Sequence, residues 1–388
     1  MNWITTETAS RILGDLIEIP TINPMGAPYG SSEPVERKAL GYIEQLFARY
    51  GVTMERQRCS PLHESLLISA PGRLDGGITL MEAHVDTVPA DDWRETAFTR
   101  RSVGSRIYGR GACDDKGSLV SMLLALLDIL ERGHKPPYSI ALLAAGDEEY
   151  AQTGIKHFAG LGYPVSRSVV GEPTSLTPII QHKGTIRWDI SVHGRSAHTS
   201  RPELGRNAIT DAIKVIAILN DHQRELEKQF MNPLTAAPVI TVTKIQGGRT
   251  RNAVPDECVL AMDFRVVPGM NPAEARQAVI DKLNSSGLDL SHSEVQLMTP
   301  PLDTNPDHPF SKKVLDICRK VTGIAGIDFG GAPYGTDAAW IASAGPSIVL
   351  GPGSIKSAHS IDEFVDVNEI TSCARIYREI MMSEIQSE

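Results

Sequence analysis

The sequence has little that would place the protein in a membrane or on a nucleic acid. No apolar run approaches the roughly 20 residues that a bilayer-spanning helix needs. The start of the chain lacks a basic segment followed by an apolar one, which is the pattern of a secretory signal. No dense block of lysine and arginine occurs, and 47 acidic residues against 38 basic ones leave a formal charge of −9. We therefore expect a cytoplasmic protein with neither a membrane nor a nucleic acid as its partner.

Cysteine is also scarce. The five cysteines show no C-x-x-C spacing, so they predict neither a disulfide framework nor a thiolate zinc site. Apolar residues make up 41% of the chain and charged residues 22%, as in ordinary globular proteins. At 388 residues the chain is too long for one compact core and, at roughly 100 to 200 residues per domain, predicts two domains.

Short apolar runs alternate with helical patterns over much of the chain. Two amphipathic helices are predicted over residues 6–18 and 34–50, and a strongly apolar helix over 118–130. Short runs bounded by turns predict strands at residues 78–83, 140–145, 168–170 and 347–350. This alternation indicates an α/β sheet. Acidic or histidine residues follow each run, where open α/β sheets bind their ligands.

A middle segment has a different pattern. Ile186, Trp188, Ile190 and Val192 alternate with polar residues, which predicts a strand with one buried face. The elements predicted after it complete a β-α-β-β-α-β order, with a helix over 204–230, strands over 238–245 and 258–267, a helix over 272–283 and a strand near Val295. We therefore predict a ferredoxin-like α+β domain at 180–294, inserted into a mixed-sheet α/β domain formed by 1–179 and 295–388.

Acidic and histidine side chains gather near the ends of the predicted strands. They are His84, Asp86, Asp114, Glu148, Glu149, Glu172 and His359. Any one of them alone is more often a cap, a turn or a hydrogen-bonded structural residue. Together they form a nitrogen and oxygen set that suits zinc, cobalt or manganese and disfavours a metal bound by thiolates. The sequence therefore predicts a metal centre.

The spacing within the set suggests which members could bind metal and which could orient a ligand or act as a base. Residues two apart on an extended segment point to the same side, so one of His84 and Asp86 could bind a metal while the other orients it. Glycines on both sides of the carboxylate in the run 109–117 would let the backbone press that carboxylate between two cations. Adjacent side chains diverge, so one of Glu148 and Glu149 could bind metal while the other acts as a general base.

Five segments in order resemble the family of acetylornithine deacetylase, succinyl-diaminopimelate desuccinylase, aminoacylase and glutamate carboxypeptidase. They span nearly the whole chain and lie at 84–89, 109–117, 146–149, 171–174 and 358–363. The resemblance implies a zinc-peptidase-like catalytic domain with an inserted lid and dimerisation domain. It also implies two divalent metal ions, expected to be Zn2+, with Co2+ or Mn2+ as alternatives. The metal ligands carried over in this way are Asp114 as the bridge, His84 and Glu172 on one metal, and Glu149 and His359 on the other.

The resemblance also implies roles for residues around the metals. Glu148 would be the base that takes a proton from water, and Asp86 would orient His84. The family has a cis peptide bond after its bridging aspartate, which here would join Asp114 to Asp115. Histidines outside the matching segments, such as His63, are interpreted as ordinary residues.

The inserted domain carries a further part of the resemblance. The segment 194–208 resembles the family's lid, which also forms the contact of a homodimer. Relatives use the histidine at the position of His198 to reach the partner's active site and stabilise an anionic intermediate, although a polar residue at a helix start is the simpler interpretation. Asn252, Arg265, Gly335 and Thr336 fall where relatives hold substrate carboxylate or acyl oxygens. Arg265 could equally be a residue on a sheet face.

The predicted reaction is hydrolysis of the amide bond of a small N-acyl amino acid. Segments 201–205 and 351–355 look closer to acetylornithine deacetylase and aminoacylase-like members than to desuccinylases. Deacetylation of an N-acetyl amino acid is thus the first hypothesis, a dipeptidase or carboxypeptidase the second, and a desuccinylase the third.

Two hypotheses from other classes compete with this one. A metal-stabilised binding protein would be expected to lack the base, but Glu148 is present. A hydrolase with a serine or cysteine nucleophile would need an activating partner. The sequence has no G-x-S-x-G elbow, and Cys113 has no base that a motif supports.

Overall fold

The computed structural model describes residues 2–91 and 93–384. Its chain divides into two compact units. The first comprises residues up to 180, 304–330 and those from 336 onward. The second comprises 181–303 and 331–335, so it extends beyond the 180–294 that the sequence predicts. No helix within the described residues is long and apolar enough to cross a bilayer.

The helices vary widely in length. A short 3-10 helix (Pro202–Leu204) precedes the longest of them. In chain order they are α1 (Thr6–Ile17), α2 (Arg37–Phe47), α3 (Arg94–Ala97), α4 (Lys116–Glu131), α5 (Thr153–Gly160), α6 (Ala208–Gln229), α7 (Pro272–Asn284), α8 (Pro309–Thr322), α9 (Ala338–Ile341) and α10 (Val367–Met381).

The strands are mostly short. In chain order they are β1 (Thr53–Arg58), β2 (Glu64–Ala70), β3 (Ile78–His84), β4 (Arg101–Val103), β5 (Arg106–Tyr108), β6 (Ser139–Ala145), β7 (Val165–Val170), β8 (Ile179–His182), β9 (Gly184–His193), β10 (Val239–Gly247), β11 (Glu257–Val266), β12 (Leu290–His292), β13 (Leu297–Thr299), β14 (Leu302–Asp303), β15 (Gly330–Ala332), β16 (Ser347–Val349) and β17 (Phe364–Asp366).

The largest sheet is mixed, with strand order β1-β2-β6-β3-β7-β16-β8-β14 and β15 beside β8. Its central strands β6, β3, β7 and β16 run parallel to one another. The outer strands β1 and β2 are antiparallel. The carboxyl ends of the parallel strands therefore meet at one edge of the sheet.

Both faces of the central strands of this sheet are buried. In β6, Leu142 and Ala144 pack into the core that contains α1, α4 and α10, whereas Leu143 and Ala145 pack into a smaller core with α5 and α9. Adjacent strand residues point to opposite faces, so a strand covered on both sides is apolar throughout. Helix α4 is buried from residue 116 to 129, which explains its nearly continuous apolar sequence.

The second unit is built on an antiparallel sheet with strand order β10-β11-β9-β12 and β13 beside β9. Ile186, Trp188, Ile190 and Val192 of β9 are fully buried together with residues of α6 and α7. The elements follow one another as β-α-β-β-α-β, and all the sheet pairings are antiparallel. This is the split β-α-β arrangement of ferredoxin-like domains.

The mixed α/β fold expected from the sequence is confirmed, but some element boundaries were wrong. Helix α6 begins at Ala208 rather than at 204, because the Asn207 side chain caps it by accepting bonds from the next residues' N–H groups. The strand expected near Val295 is two strands, β12 and β13, on either side of that residue. Both pair with β9, and this pairing keeps residues up to 299 within the second unit.

Candidate metal centre

Three parallel strands deliver the candidate site residues to one edge of the main sheet. Strand β3 ends at His84, β6 ends just before the turn that holds Glu148 and Glu149, and β7 ends two residues before Glu172. Strand β3 pairs with both β6 and β7 in parallel. Side chains from segments far apart in sequence therefore converge at this edge.

Asp114 lies between the two candidate histidines. Its Oδ1 is 3.0 Å from His84 Nε2, and its Oδ2 is 3.2 Å from His359 Nε2. The same His359 nitrogen is 3.3 Å from Glu149 Oε2. Each oxygen of one carboxylate thus faces a different imidazole, as a bridging ligand requires.

Two overlapping groups of side chains have the spacing of a metal site. His84, Asp114 and Glu149 offer ligand atoms that all lie within 4.8 Å of one another. His84, Glu148 and Glu172 form a second group by the same measure. Glu148 is therefore close enough to belong to the centre, and its half-buried position leaves it open to a small molecule.

The residues fit divalent metal ions in geometry and in charge. Zinc bonds to nitrogen or oxygen of ~2.0–2.2 Å place tetrahedral ligands about 3.4 Å apart, close to the separations around Asp114. Four carboxylates crowd around two imidazoles, and a cation would neutralise this excess of negative charge. The carboxylates are those of Asp114, Glu148, Glu149 and Glu172.

The pKa values reflect the crowding. Burial raises the pKa of Glu148 and of Glu172 well above the ordinary value, and neighbouring carboxylates add to the rise. Burial also acts to raise the pKa of Asp114, but hydrogen bonds from His359 and His84 outweigh it and the pKa is lowered. Bonds to Asp114 and Glu149 raise the pKa of His359 to about 10. The lowered pKa favours the charged form of the Asp114 carboxylate.

Asp86 is bonded both to His84 and to the turn that follows β6. Its backbone oxygen accepts a 2.9 Å bond from His84 Nδ1, while its carboxylate Oδ1 lies 3.7 Å from that nitrogen. The carboxylate is fully buried and accepts bonds from the backbone N–H groups of Glu148 (3.0 Å) and Glu149 (3.2 Å). Asp86 therefore fixes the imidazole through its main chain and the two glutamates through its side chain.

The turn before α4 brings Asp114 into place. Gly111 has φ +82°, and a Cβ there would lie 2.8 Å from the Thr87 methyl group, so the position requires glycine. The peptide bond between Asp114 and Asp115 is cis, as the family resemblance implied. Lys116, the first residue of α4, is fully buried, and its Nζ donates to two backbone carbonyls at the end of α1.

A buried polar network behind the centre was missed in the sequence. His63 Nδ1 lies 2.6 Å from Glu36 Oε1, and its Nε2 is 3.6 Å from Asp147 Oδ1. The Asn23 amide donates to both Asp147 and Asp86. Burial raises the pKa of Glu36 to about 7. Asp86 and Asp147 lie in segments of the family resemblance, but no sequence motif marks Asn23, Glu36 or His63, because these partners lie elsewhere in the chain.

His198 and Asn252 lie on two neighbouring loops of the second unit. Thr199 N donates to Asn252 O at 3.1 Å, and His198 forms a β-bridge with Ala253. The His198 ring is exposed, and its Nδ1 lies 2.8 Å from Ser200 Oγ. The pairing of these loops explains how residues more than 50 positions apart share one surface.

Arg265 and Gly335 are close to Thr185, also in the second unit. Arg265 Nη1 donates to Thr185 Oγ1 at 2.8 Å, and its Nε donates to Asp263 Oδ1 at 2.6 Å. A Cβ on Gly335 would lie 3.8 Å from the same Thr185 oxygen. Thr336 belongs to the first unit, where it is fully buried and its hydroxyl accepts a bond from Ala338 N.

An imidazole and carboxylate cluster at the carboxyl edge of a mixed sheet defines the class of metal-dependent hydrolases. More specifically, the chain belongs to peptidase family M20/M25/M40, whose model matches residues 80–383. The acetylornithine deacetylase of Photorhabdus laumondii is 32% identical over 335 residues, which cover 83% of this chain and 84% of that protein. The acetylornithine deacetylase of Klebsiella pneumoniae is 33% identical over 332 residues, which cover 82% and 83%.

Solved structures show the same fold at low sequence identity. An M20-family metallo-carboxypeptidase from Sulfolobus solfataricus matches with a TM-score of 0.79 and 18% identity, over 96% of this chain and 98% of that one. A dinuclear metal-binding M20-family peptidase from Bacillus subtilis matches with a TM-score of 0.70 and 16% identity, over 97% of each chain. The resemblance expected from the five sequence segments is therefore confirmed.

Proposed function

We propose that this enzyme hydrolyses the amide bond of small N-acyl amino acids, with N-acetyl amino acids such as acetylornithine as the preferred class. The observation that carries the proposal is the contact of one carboxylate, Asp114, with both His84 and His359, with Glu148 close to the same His84 ring. The curated relatives that match over most of their length are named acetylornithine deacetylases, which supports this choice of substrate.

The proposed cofactors are two divalent metal ions, zinc in the first instance and cobalt or manganese as alternatives. Such ions supply a water molecule of lowered pKa and polarise the carbonyl of the amide. The nitrogen and oxygen donor set supports zinc. The proposed ligands are Asp114 shared by both sites, His84 and Glu172 at the first site, and Glu149 and His359 at the second.

Glu148 is the proposed general base. Its backbone is held by Asp86, and its carboxylate accepts a 3.2 Å bond from Gln152 Nε2. A carboxylate with a raised pKa can take a proton from water and later return it to the departing amine. Asp86 positions this carboxylate and the His84 ring, so both are oriented before a substrate binds.

Residues of the second unit are proposed to bind the substrate. The exposed His198 ring would donate a hydrogen bond to the developing oxyanion in the partner's active site. Asn252, Arg265 and Gly335 would contact the substrate carboxylate or acyl group, together with Thr336. Arg265 already donates to Asp263 and Thr185 from all three of its guanidinium nitrogens, so its role in binding would use the second N–H group of Nη1 or Nη2.

We also propose a cytoplasmic homodimer formed through the second unit. Strand β10 lies at the edge of its sheet and exposes Val239 and Ile245. An exposed apolar edge strand is a surface that a second copy can cover. The five free cysteines are compatible with a reducing compartment. Light scattering of the purified chain tests the dimer, and a monomer across the micromolar range would contradict it.

The substrate class is tested with purified, zinc-loaded protein. Release of amino acid is measured from acetylornithine, other N-acetyl amino acids, dipeptides and succinyl-diaminopimelate. Higher kcat/KM on the N-acetyl compounds supports the proposal. A preference for dipeptides would support the peptidase hypothesis, and a preference for succinyl-diaminopimelate the desuccinylase hypothesis. Activity that a chelator leaves unchanged would exclude metal chemistry.

The role of Glu148 is tested by Glu148→Ala, with Glu7→Ala, at an exposed position of helix α1, as the control. Loss of a general base lowers kcat by about 10²- to 10⁴-fold. Bound metal, measured by elemental analysis, should remain at the level of the parent protein. Substantial remaining turnover in Glu148→Ala would remove this residue from the role of base.

A further inference from the structure

We propose that Glu363 is a positioning residue that sets the distance between Asp114 and His359 and thereby makes the second metal site. The inference rests on the proposed two-metal function. It concerns a residue that contacts neither substrate nor metal, because every acceptor position of its carboxylate faces the protein itself.

The Glu363 carboxylate is fully buried and accepts four hydrogen bonds from one turn. Oε1 accepts from the backbone N–H groups of Cys113 (2.9 Å) and Asp114 (3.0 Å). Oε2 accepts from the backbone N–H of Gly111 (3.1 Å) and from Arg110 Nη1 (2.6 Å). Consecutive backbone N–H groups that converge in this way form a concave anion-binding site. Here the anion is a side chain of the protein.

Glu363 also belongs to the segment that carries His359, four residues earlier. Its own backbone oxygen accepts a 3.1 Å bond from Gly109 N. Directly after it, β17 pairs with β5, the strand that leads into the same glycine-containing turn. The carboxylate and the strand pairing thus fasten the His359 segment to the Asp114 turn at several points.

The two proposed metal sites depend to different degrees on the contacts between Glu363 and the Asp114 turn. His84 is 2% exposed, ends strand β3 and donates to Asp86 O, so its position is fixed independently of Glu363. The His359 side chain is 51% exposed and lies in a loop with φ +55°. Its 3.2 Å approach to Asp114 is therefore the contact that Glu363 controls most directly.

A glutamine at position 363 cannot replace the carboxylate. Its amide offers only one oxygen, so its NH2 group must face either the Cys113 and Asp114 N–H pair or the Gly111 and Arg110 donors. Donors would then oppose donors within a fully buried site, and the turn must shift. Loss of such outer partners commonly lowers metal affinity by about 10- to 100-fold. We expect this loss at the second site.

The experiment compares Glu363→Gln with the control Glu369→Gln. Glu369 Oε2 accepts a 2.7 Å bond from the Gly353 backbone, so the control removes a carboxylate charge in the same part of the chain but outside the Asp114 turn, and the glutamine keeps an oxygen that can accept this bond. Metal-free proteins are titrated with zinc by calorimetry, and cobalt-loaded samples are compared by visible absorption. The parent and Glu369→Gln should bind two ions per chain. Glu363→Gln should keep one tight site and lose about 10- to 100-fold affinity at the other.

Melting temperatures of the metal-free proteins show whether each variant is folded. If Glu363→Gln does not fold, Glu363→Asp is used instead. Aspartate keeps the charge but is one methylene too short to reach all four donors. It should lower the metal affinity of the second site less than Glu363→Gln does. Two sites of parental affinity in the folded variant overturn the inference, as does equal weakening of both sites. Fewer than two ions on the parent protein would contradict the proposed function instead.

Discussion

His182 provides a stability prediction in which both sign and size follow from the structure. This residue of β8 is fully buried. Its Nδ1 donates a 3.0 Å bond to Lys183 O, and its Nε2 has no hydrogen-bond partner among the described residues. Burial lowers the pKa of His182 from 6.5 to about 4. The ring is therefore neutral in the folded protein at physiological pH.

The direction follows from proton binding in the two states. Between pH 6.5 and about 4 the unfolded chain binds a proton at His182 that the folded protein does not bind, so acidification favours unfolding. The contribution of the neutral ring to the free energy of unfolding is fully present above pH 6.5. It is lost progressively as the pH falls from 6.5 to about 4. A shift of about 2.5 pKa units, at about 1.4 kcal/mol per unit, makes the full loss about 3 kcal/mol.

The matched variant is His182→Asn, whose amide can still donate to Lys183 O but does not titrate. Urea unfolding is measured for parent and variant at several pH values between 7.5 and 4, with a chelator present so that metal release does not contribute. At pH 7.5 the parent should be the more stable protein. That advantage should shrink by about 3 kcal/mol as the pH reaches 4. His134→Asn, on an exposed histidine, is the control and should show no such change.

A constant difference between parent and His182→Asn across this pH range would refute the reasoning. It would mean that the imidazole is protonated in the folded protein without penalty, which requires either water or an acceptor at Nε2. A difference that grows on acidification would contradict the sign itself.

Three further perturbations have definite outcomes. Gly111→Ala places a Cβ at φ +82° and 2.8 Å from Thr87, so it should lower the melting temperature more than Gly104→Ala, where φ is +60° but the space is open. Glu36→Ala should cost about 1–3 kcal/mol in urea unfolding because it removes the hydrogen-bond acceptor of the buried His63 Nδ1, and His63→Gln added to it should cost less than the sum of the single changes. Zinc at 100 times its dissociation constant should stabilise the protein by about 2.7 kcal/mol per site, and a chelator should reverse this; an unchanged melting temperature would contradict a metal centre.

The sequence predicted best the elements whose side chains alternate between distinct environments. The β9 strand was evident because Ile186, Trp188 and Ile190 all face one core. The predicted start of α6 was wrong for two reasons that the pattern of apolar residues does not reveal. Asn207 caps the helix, and a 3-10 helix lies before that residue. Strand pairing could not be predicted in the same way. Strands β12 and β13 both pair with β9, and these contacts join residues far apart in sequence.

The candidates His84, Glu149 and Glu172 could be predicted because a strand end is a local feature and parallel strands end at one edge, whereas the roles of Asp114 and His359 were implied by the family resemblance. Their supporting contacts could not. Glu363 bonds to Cys113 across 250 positions, and His63 pairs with Glu36 across 27, with no local pattern to mark either pair. His63 was interpreted as an ordinary histidine for this reason. The assignment of Asp86 as the orienter of His84 stays a prediction, and the structure adds the bonds from the Glu148 and Glu149 backbone.

Helix α4 begins two residues after Asp114 and is buried along most of its length. Amide protons in such a helix exchange with deuterium only when the whole unit opens. Asp114 is thus attached to the part of the chain that we expect to exchange most slowly and to resist proteases longest. On the proposed function, a chain without its metal ions would therefore stay folded next to Asp114.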